Sequence, residues 1–233
     1  MEIQIKKAIK AGNSSAVLLP RSWLNQEVRV ELVKKTPETI LNDALNIVKK
    51  YISLNKIIGV YLVGSYARGE EDSDSDIDIL IITDDIDKEL IKEGIYNIIV
   101  ISSELLKQKL RYDLFPIGSM IKEARSLLNN NFLSSIKVKI TNENIKWYLE
   151  TTKDKIEIIK KIISYLKKKN KKYVNDRLVY TLILRIRTLY IIKKLIDDDI
   201  YSKKDFLSVI KRITGKADVY NRYIIVKNNL KMK

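Results

Sequence analysis

Apolar side chains recur along this chain with two periods, and the places where the period changes divide it. In the first 33 residues the period is two. Ile3 and Ile5 share a face of Met1–Ala8, Val17–Leu19 runs into Pro20, and Val28–Val33 alternates again, so three short strands are predicted. Ala11-Gly12-Asn13-Ser14 supplies a turn with residues that accept positive φ, and Arg21–Asn25 reads as a short turn or helical piece. Ile40, Leu41, Ala44, Leu45, Val48 and Ile52 then recur at helical spacing. They predict an amphipathic helix over Pro37–Ser53, with Thr36 as its cap and Pro37 at its first position. Continuous apolar runs at Ile57–Val63, Ile79–Ile82 and Ile95–Ile101 read as buried strands. Ser102–Leu110 and Pro116–Asn130 read as helices. Ile136–Ile140, alternating with Lys137 and Lys139, reads as an edge strand guarded by lysines. From Asn142 the helical period takes over, over Ile145–Lys169, Tyr173–Ile196, a third helix opening at Ser202 with Asp205 behind it, and Ala217–Asn228. The expected organisation is a small β module (1–34), an α/β core (35–141) and a helical bundle (142–233).

Between the first two buried strands lies Gly-Ser-Tyr-Ala-Arg-Gly-Glu-Glu-Asp-Ser-Asp-Ser-Asp-Ile-Asp, residues 64–78. Asp76 and Asp78 stand two residues apart at the start of a strand, so their carboxylates point the same way while Ile77 and Ile79 point into the core. Two carboxylates side by side repel unless a divalent cation or a proton lies between them. Gly64 permits close backbone approach, and the amides and the Ser65 hydroxyl can bind phosphate oxygens. Other readings of the stretch fail on particular residues. No Gly-Lys-Ser/Thr follows the glycine, so it is not a P-loop. Asp72, Asp74 and Asp76 imitate an EF-hand, but Ile77 and Thr83 stand where that loop needs Gly and Glu. A solvated acidic turn between core strands is the bland alternative.

The Gly-Ser pair, a ten-residue spacer and Asp-Ile-Asp on a strand resemble the signature of polymerase-beta-like nucleotidyltransferases. Ala67-Arg68-Gly69 and Ser75 extend the likeness to the minimal nucleotidyltransferases of prokaryotes. The resemblance implies a mixed sheet with flanking helices and transfer of a nucleoside monophosphate from a nucleoside triphosphate to an acceptor hydroxyl. It assigns Asp76 and Asp78 to catalysis and to Mg²⁺ (or Mn²⁺). Gly64, Ser65 and Arg68 would bind the nucleotide. The family's third carboxylate is expected at the start of the third strand, where this chain has Asn97. An amide can offer a lone pair to a metal but cannot take a proton from a hydroxyl. Another group does that work, or the metal alone activates the hydroxyl, or the site binds nucleotide without turnover. Glu104, the nearest later acid, reads as a helix-start charge.

At the N-terminus, Lys-Ala-Ile-Lys-Ala-Gly-Asn-Ser-Ser followed by an apolar strand, Leu-Pro and Trp23 resembles swapped-hairpin modules of the AbrB and MazE type. In such modules two chains interlock into a dimer that binds DNA. Gly12, Asn13, Ser14, Pro20 and Trp23 carry the likeness. It implies DNA binding by Lys6, Lys7, Lys10, Asn13 and Arg21, with phosphate contacts from the four basic side chains. A sheet this small cannot bury much surface alone, which independently favours a second copy.

Composition narrows the chemistry. The chain has no Cys and no His, which excludes disulfides, thiolate sites, Ser-His triads and histidine bases. The missing His also excludes an active HEPN-type ribonuclease in the helical part. Any metal must be held by oxygen. A net charge of +15 points to a polyanionic partner, or to the Lys-, Ile- and Asn-rich usage of an AT-rich genome. The lysines of 167–172 would touch nucleic acid or form a solvated turn. Arg185 and Arg187, beside Tyr190 in the most apolar helix, would need an anion from substrate or an internal Asp. With no signal peptide and no bilayer-length apolar run, a cytoplasmic protein is expected. The expected function is metal-dependent nucleotidyl transfer to a hydroxyl on a protein or RNA partner, as the antitoxin of a toxin–antitoxin pair. The alternative is a DNA-binding regulator whose nucleotidyltransferase fold is catalytically impaired. A small-molecule transferase fits the architecture but gives the N-terminal module no purpose.

Overall fold

The computed structural model describes residues 4–6, 8–32, 35–72, 75–171, 174–215 and 219–227. The chain forms two compact units, Met1–Gln108 with Glu123–Lys137, and Lys109–Lys122 with Val138–Lys233.

The first unit is built on a five-stranded mixed sheet with strand order β5-β6-β4-β3-β7. Its strands are β3 (Ile57–Val63), β4 (Ile77–Thr83), β5 (Lys88–Glu93), β6 (Tyr96–Ser102) and β7 (Arg125–Leu128). β3 is antiparallel to β4 and β7, while β4 runs parallel to β6, which takes β5 antiparallel at its outer side. The odd residues of β4 make one apolar face. Ile77, Ile79 and Ile81 pack with Val60, Leu62, Ile98 and Val100 against Ile40, Ala44 and Ile47 of helix α1 (Pro37–Val48). α1 starts where its caps dictate: Thr36 Oγ1 accepts the Thr39 N–H at 3.2 Å, and Pro37 is the first helical residue. The even residues point to the opposite face, so Asp78 emerges on the side away from α1.

Several expected elements differ. β5 is an edge strand that no apolar run in the sequence announces, and Asp84, Asp85 and Asp87 precede it. Asp84 and Asp85 pair with Lys56, at 3.6 and 2.8 Å. Asp87 accepts the Ser102 N–H at 2.6 Å, closing the end of β6. The helix expected over Pro116–Asn130 is three elements: α4 (Ile117–Glu123), β7 and α5 (Asn130–Ser135). The free side of β3 recruits residues 125–128 as a strand, and Asn129, at φ +63°, turns the chain into α5. Residues 136–140 form no strand, because β7 already holds that edge.

At the N-terminus, β1 (Ile9–Ala11) and β2 (Ser14–Ala16) make a hairpin whose turn glycine, Gly12, has φ +60°. Both strands are shorter and placed otherwise than alternation predicts. Residues 4–6, 8, 17–19 and 28–32 are not strands, while Met1, Ile3 and Val33 lie outside the described residues. Period-two sequence becomes a strand only with a partner edge, and among the described residues this hairpin pairs with no further strand. Ile5 instead joins the core of the unit.

The second unit carries α6 (Asn142–Lys168), α7 (Asp176–Ile196), α8 (Lys203–Thr214) and α9 (Val219–Lys227). Tyr173, Ala217 and Asn228, included in the expected helices, lie outside the described residues. Thr141 and Asn144 form a reciprocal capping box, and Ser202 accepts the Asp205 N–H. Phe206, Ile183, Ile210 and Tyr223 form one core, and Leu114, Ile145, Ile192 and Leu195 another.

Asn144 ties α6 to its surroundings. It is 2% exposed; its amide donates to the carbonyls of Leu110 (2.8 Å) and Lys139 (2.9 Å), and its oxygen accepts the Thr141 N–H (2.9 Å). Removing one side chain takes the partner from three part-buried backbone groups, each loss costing about 1 kcal/mol. Asn144→Ala should therefore destabilise the helical unit by about 2–4 kcal/mol in urea denaturation, where a loss under about 1 kcal/mol would contradict this assignment.

Candidate active site

The register of three neighbouring strands assembles the site. Val63 pairs with Asp78 across β3 and β4, and Asp78 pairs with Asn97 across β4 and β6. Asp78 therefore has the end of β3 on one side and Asn97 on the other. Asp76 precedes β4 and is exposed, while Asp78 and Asn97 are half-buried. The Asn97 amide nitrogen donates to Asp78 Oδ1 at 3.1 Å and lies 3.3 Å from Asp76 Oδ2. The two carboxylates thus converge on one atom.

That convergence tests the fit of a divalent cation. The donor set is oxygen only, and two negative groups already turn toward a common point occupied by a polar hydrogen. Asn97 owns both a donor and an acceptor on that amide, so the bridging group also carries the oxygen a cation would need. The residues fit. Among the described residues no group of three or more Asp, Glu, His or Cys side chains stands ready for a metal, so any ion here would depend on the Asp76–Asp78–Asn97 set and on substrate oxygens.

Beside Asp78, the chain leaves β3 through Gly64 at φ +71° into the short helix α2 (Gly64–Arg68). A Cβ on Gly64 would meet Asp78 Oδ2 at 2.4 Å. Both the conformation and this closeness require glycine. Ser65 follows on the first turn, half-buried, and among the described residues no group hydrogen-bonds its hydroxyl. In the loop toward Asp76, Ser75 Oγ donates to Asp72 Oδ1 at 2.9 Å and accepts the Asp72 N–H at 2.9 Å. Asp74 lies outside the described residues.

Arg68 is not open to solvent. Its Nη1 pairs with Glu123 Oε2 at 2.5 Å and its Nε with Glu70 Oε2 at 2.9 Å. Burial works against its charge, but Glu123 and Glu70 outweigh that, and its pKa is raised. Glu123 Oε1 also accepts the Gly64 N–H at 2.8 Å. Sequence reasoning missed Glu123 because it lay inside an expected helix. The signal becomes readable only through the β3–β7 register: Leu62 pairs with Arg125, so two residues further along each strand Gly64 faces Glu123.

The remaining candidates lie elsewhere. Lys6, Lys10, Asn13 and Arg21 are exposed, and Lys7 is outside the described residues. Glu104 sits in the first turn of α3 (Ser103–Tyr112) near Lys107, as a helix-start charge would. In the second unit, Arg185 reaches Thr151 Oγ1 at 3.1 Å, and Arg187 lies 5.0 Å from the Tyr201 ring centre. Among the described residues no carboxylate pairs with Arg187; tyrosine rings meet its charge.

The model of the nucleotidyltransferase domain family matches residues 41–202. The chain belongs to this family. The match spans the whole sheet, the acidic strand and the first two long helices, which makes the chain a transferase at the family level. No curated protein matches it. Among solved structures, it is similar to a nucleotidyltransferase-like protein from Exiguobacterium sibiricum 255-15, with 14% identity and a TM-score of 0.36, covering 79% of this chain and 66% of that one. It is also similar to a structure described as a toxin-antitoxin with AMP-PNP, with 16% identity and a TM-score of 0.25, covering 52% of this chain and 97% of that one.

The amide between the carboxylates makes a measurable difference. Asn97→Asp replaces the donor with a third acceptor, so three carboxylates would crowd one point. The variant should melt about 5 °C or more below the wild type in chelator and recover when Mg²⁺ is added. A melting point unmoved by either change would show that Asn97 does not face the acidic pair in solution.

Proposed function

We propose that this nucleotidyltransferase-family chain transfers a nucleoside monophosphate from a metal-bound nucleoside triphosphate to a hydroxyl on a protein or RNA partner. The observation that carries the reading is the convergence of Asp76 and Asp78 on one point beside Gly64. In the reaction, an acceptor oxygen bonds to the α-phosphorus, the bond to the β-phosphate oxygen breaks, pyrophosphate leaves, and the hydroxyl proton passes to a base or to water. Asp76 and Asp78 would hold the cation, with the Asn97 amide oxygen as a third ligand. Mg²⁺ bound there would draw the triphosphate oxygens to the carboxylates and stabilise charge on the attacking and leaving oxygens. Ser65 would donate to a phosphate oxygen. Asn97 orients the pair but takes no proton.

A second reading has its own observation. In the described structure an amide that can take no proton stands between the two carboxylates, as suits a site that has lost turnover. The chain would then be a DNA-binding regulator with a nucleotidyltransferase fold. The transfer assay separates the two. With α-labelled triphosphate and cell protein or RNA, Asn97→Asp should raise labelling by about 10²–10⁴-fold, the range of a positioned base. Equal labelling by both forms would assign proton removal elsewhere. No labelling by either, with the wild type still binding its own promoter, would favour the regulator.

The N-terminal module is proposed to pair with a second copy and to bind DNA through Lys6, Lys7, Lys10, Asn13 and Arg21. Support comes from the apolar side chains it leaves uncovered: Leu24 is 70% exposed, Val30 71% and Leu32 97%. Such a surface needs a partner, and the likeness to interlocking hairpins names a second copy. Modules of that type are common in antitoxins, which joins the two resemblances into the antitoxin reading; a small toxin gene in the neighbouring reading frame would support it. Leu24→Asp with Val30→Asp should convert a dimer to a monomer in sedimentation, whereas a dimer that survives would move the interface elsewhere. DNA affinity should fall about 10³-fold or more between 50 and 200 mM salt if at least six phosphates are contacted.

A further inference from the structure

We propose that Glu123 is a positioning residue for the Gly64–Ser65 turn, and that the Gly64 amide and Arg68 hold this turn in place instead of contacting the triphosphate. The inference deepens the nucleotide-binding reading and rests on it. It also changes that reading, because both groups were natural candidates for phosphate contact.

Three observations carry it. First, Glu123 stands opposite Gly64 in the continuation of the β3–β7 ladder, just before β7 begins. Where the ladder would continue with a backbone carbonyl, the Glu123 carboxylate accepts the Gly64 N–H at 2.8 Å. Second, α2 has no cap of its own, since Val63 precedes it and offers no side-chain acceptor. The start of the helix is satisfied across the sheet by Glu123 instead. Third, the clamp is enclosed and charge-paired. The Glu123 side chain is 9% exposed and that of Arg68 11%, and Glu70 holds the far side of the guanidinium. A buried pair whose partners are both satisfied is costly to open, because opening it leaves a charge uncompensated.

The consequence runs to the metal pair. Gly64 rests against Asp78 with no space for even a methyl group between them. Holding Gly64 therefore fixes the wall beside Asp78, and Ser65, the next residue, keeps its hydroxyl for substrate. The rival arrangement uses the same atoms. In it Glu123 is a stand-in for a phosphate and must leave when triphosphate arrives.

Two measurements on the full-length protein decide. Hydrogen exchange without nucleotide reads the clamp itself: the Gly64 amide should exchange about tenfold faster or more in Glu123→Ala and keep its protection in Glu123→Gln, which retains an acceptor. Unchanged protection in Glu123→Ala overturns the proposal. Calorimetry with Mg²⁺–ATP reads the consequence. Glu123→Ala and Arg68→Ala should each weaken binding by about tenfold, and the double variant should be within about threefold of the weaker single, because both break one unit. Glu123→Gln should recover most of the affinity. Tighter binding by Glu123→Ala overturns the proposal in favour of the stand-in. A loss in Arg68→Ala well beyond that in Glu123→Ala, adding in the double variant, overturns it in favour of direct phosphate contact. Should Mg²⁺–ATP and the other triphosphates fail to bind the wild type, the nucleotide reading falls, while hydrogen exchange still decides the clamp. If Glu123→Ala does not fold, Glu123→Asp, whose shorter side chain draws the carboxylate back from the Gly64 N–H, takes its place in both measurements with the same expected outcomes.

Discussion

The pairing register of β3, β4 and β6 is the constraint on which the candidate site depends. It puts the end of β3, Asp78 and Asn97 side by side on one face of the sheet. A slip of one residue in β4 would turn Asp78 into the core and an isoleucine out. The slip is prevented by apolar burial on the other face, where Ile77, Ile79 and Ile81 are at most 1% exposed. The chemistry is thus held by side chains that take no part in it. Gly64 completes the arrangement, because only a residue without a Cβ fits against Asp78.

Two donors of different charge gather the carboxylates around the Gly64 turn. Asp76 and Asp78 share the Asn97 amide, a neutral donor. Glu70 and Glu123 share Arg68, a full positive charge. The second group is closed and serves the turn. The first sets an amide dipole beside two negative charges, an arrangement suited to a cation. That difference distinguishes the pair that could act from the pair that supports. Asn97, standing where the resemblance expects a carboxylate, offers an amide oxygen but no proton acceptor.

The site's acidic half was legible in the sequence because it is local. Gly64, Ser65, Asp76 and Asp78 lie within one strand–turn–strand segment, and alternation alone puts the two aspartates on one face. Asn97 was reachable through the resemblance, which expects an acidic position near the start of the next strand. Glu123 was not, since it reaches Gly64 across 59 positions through a four-residue strand, β7, too short and too little alternating to be read as one. The same misreading placed an edge strand at 136–140. β5 was hidden by the aspartates before it, which look like a helix start but instead pair with Lys56 and close β6. The long helices were read correctly because their periods and caps, Ser202 among them, are written in neighbouring residues. In the N-terminal segment alternation overstated the strands, because an edge to pair with is not a property of the segment itself.

The central proposal is that the acidic pair and the Gly64 turn form one site for a metal-bound triphosphate. Calorimetric titration with nucleoside triphosphate, with and without Mg²⁺, on the wild type and on Asp78→Asn, tests this most directly. The account predicts saturable binding that requires the metal and weakens about a hundredfold or more in Asp78→Asn, a loss of about 2.7 kcal/mol. Binding that is equally tight without Mg²⁺, or indifferent to Asp78→Asn, would contradict it.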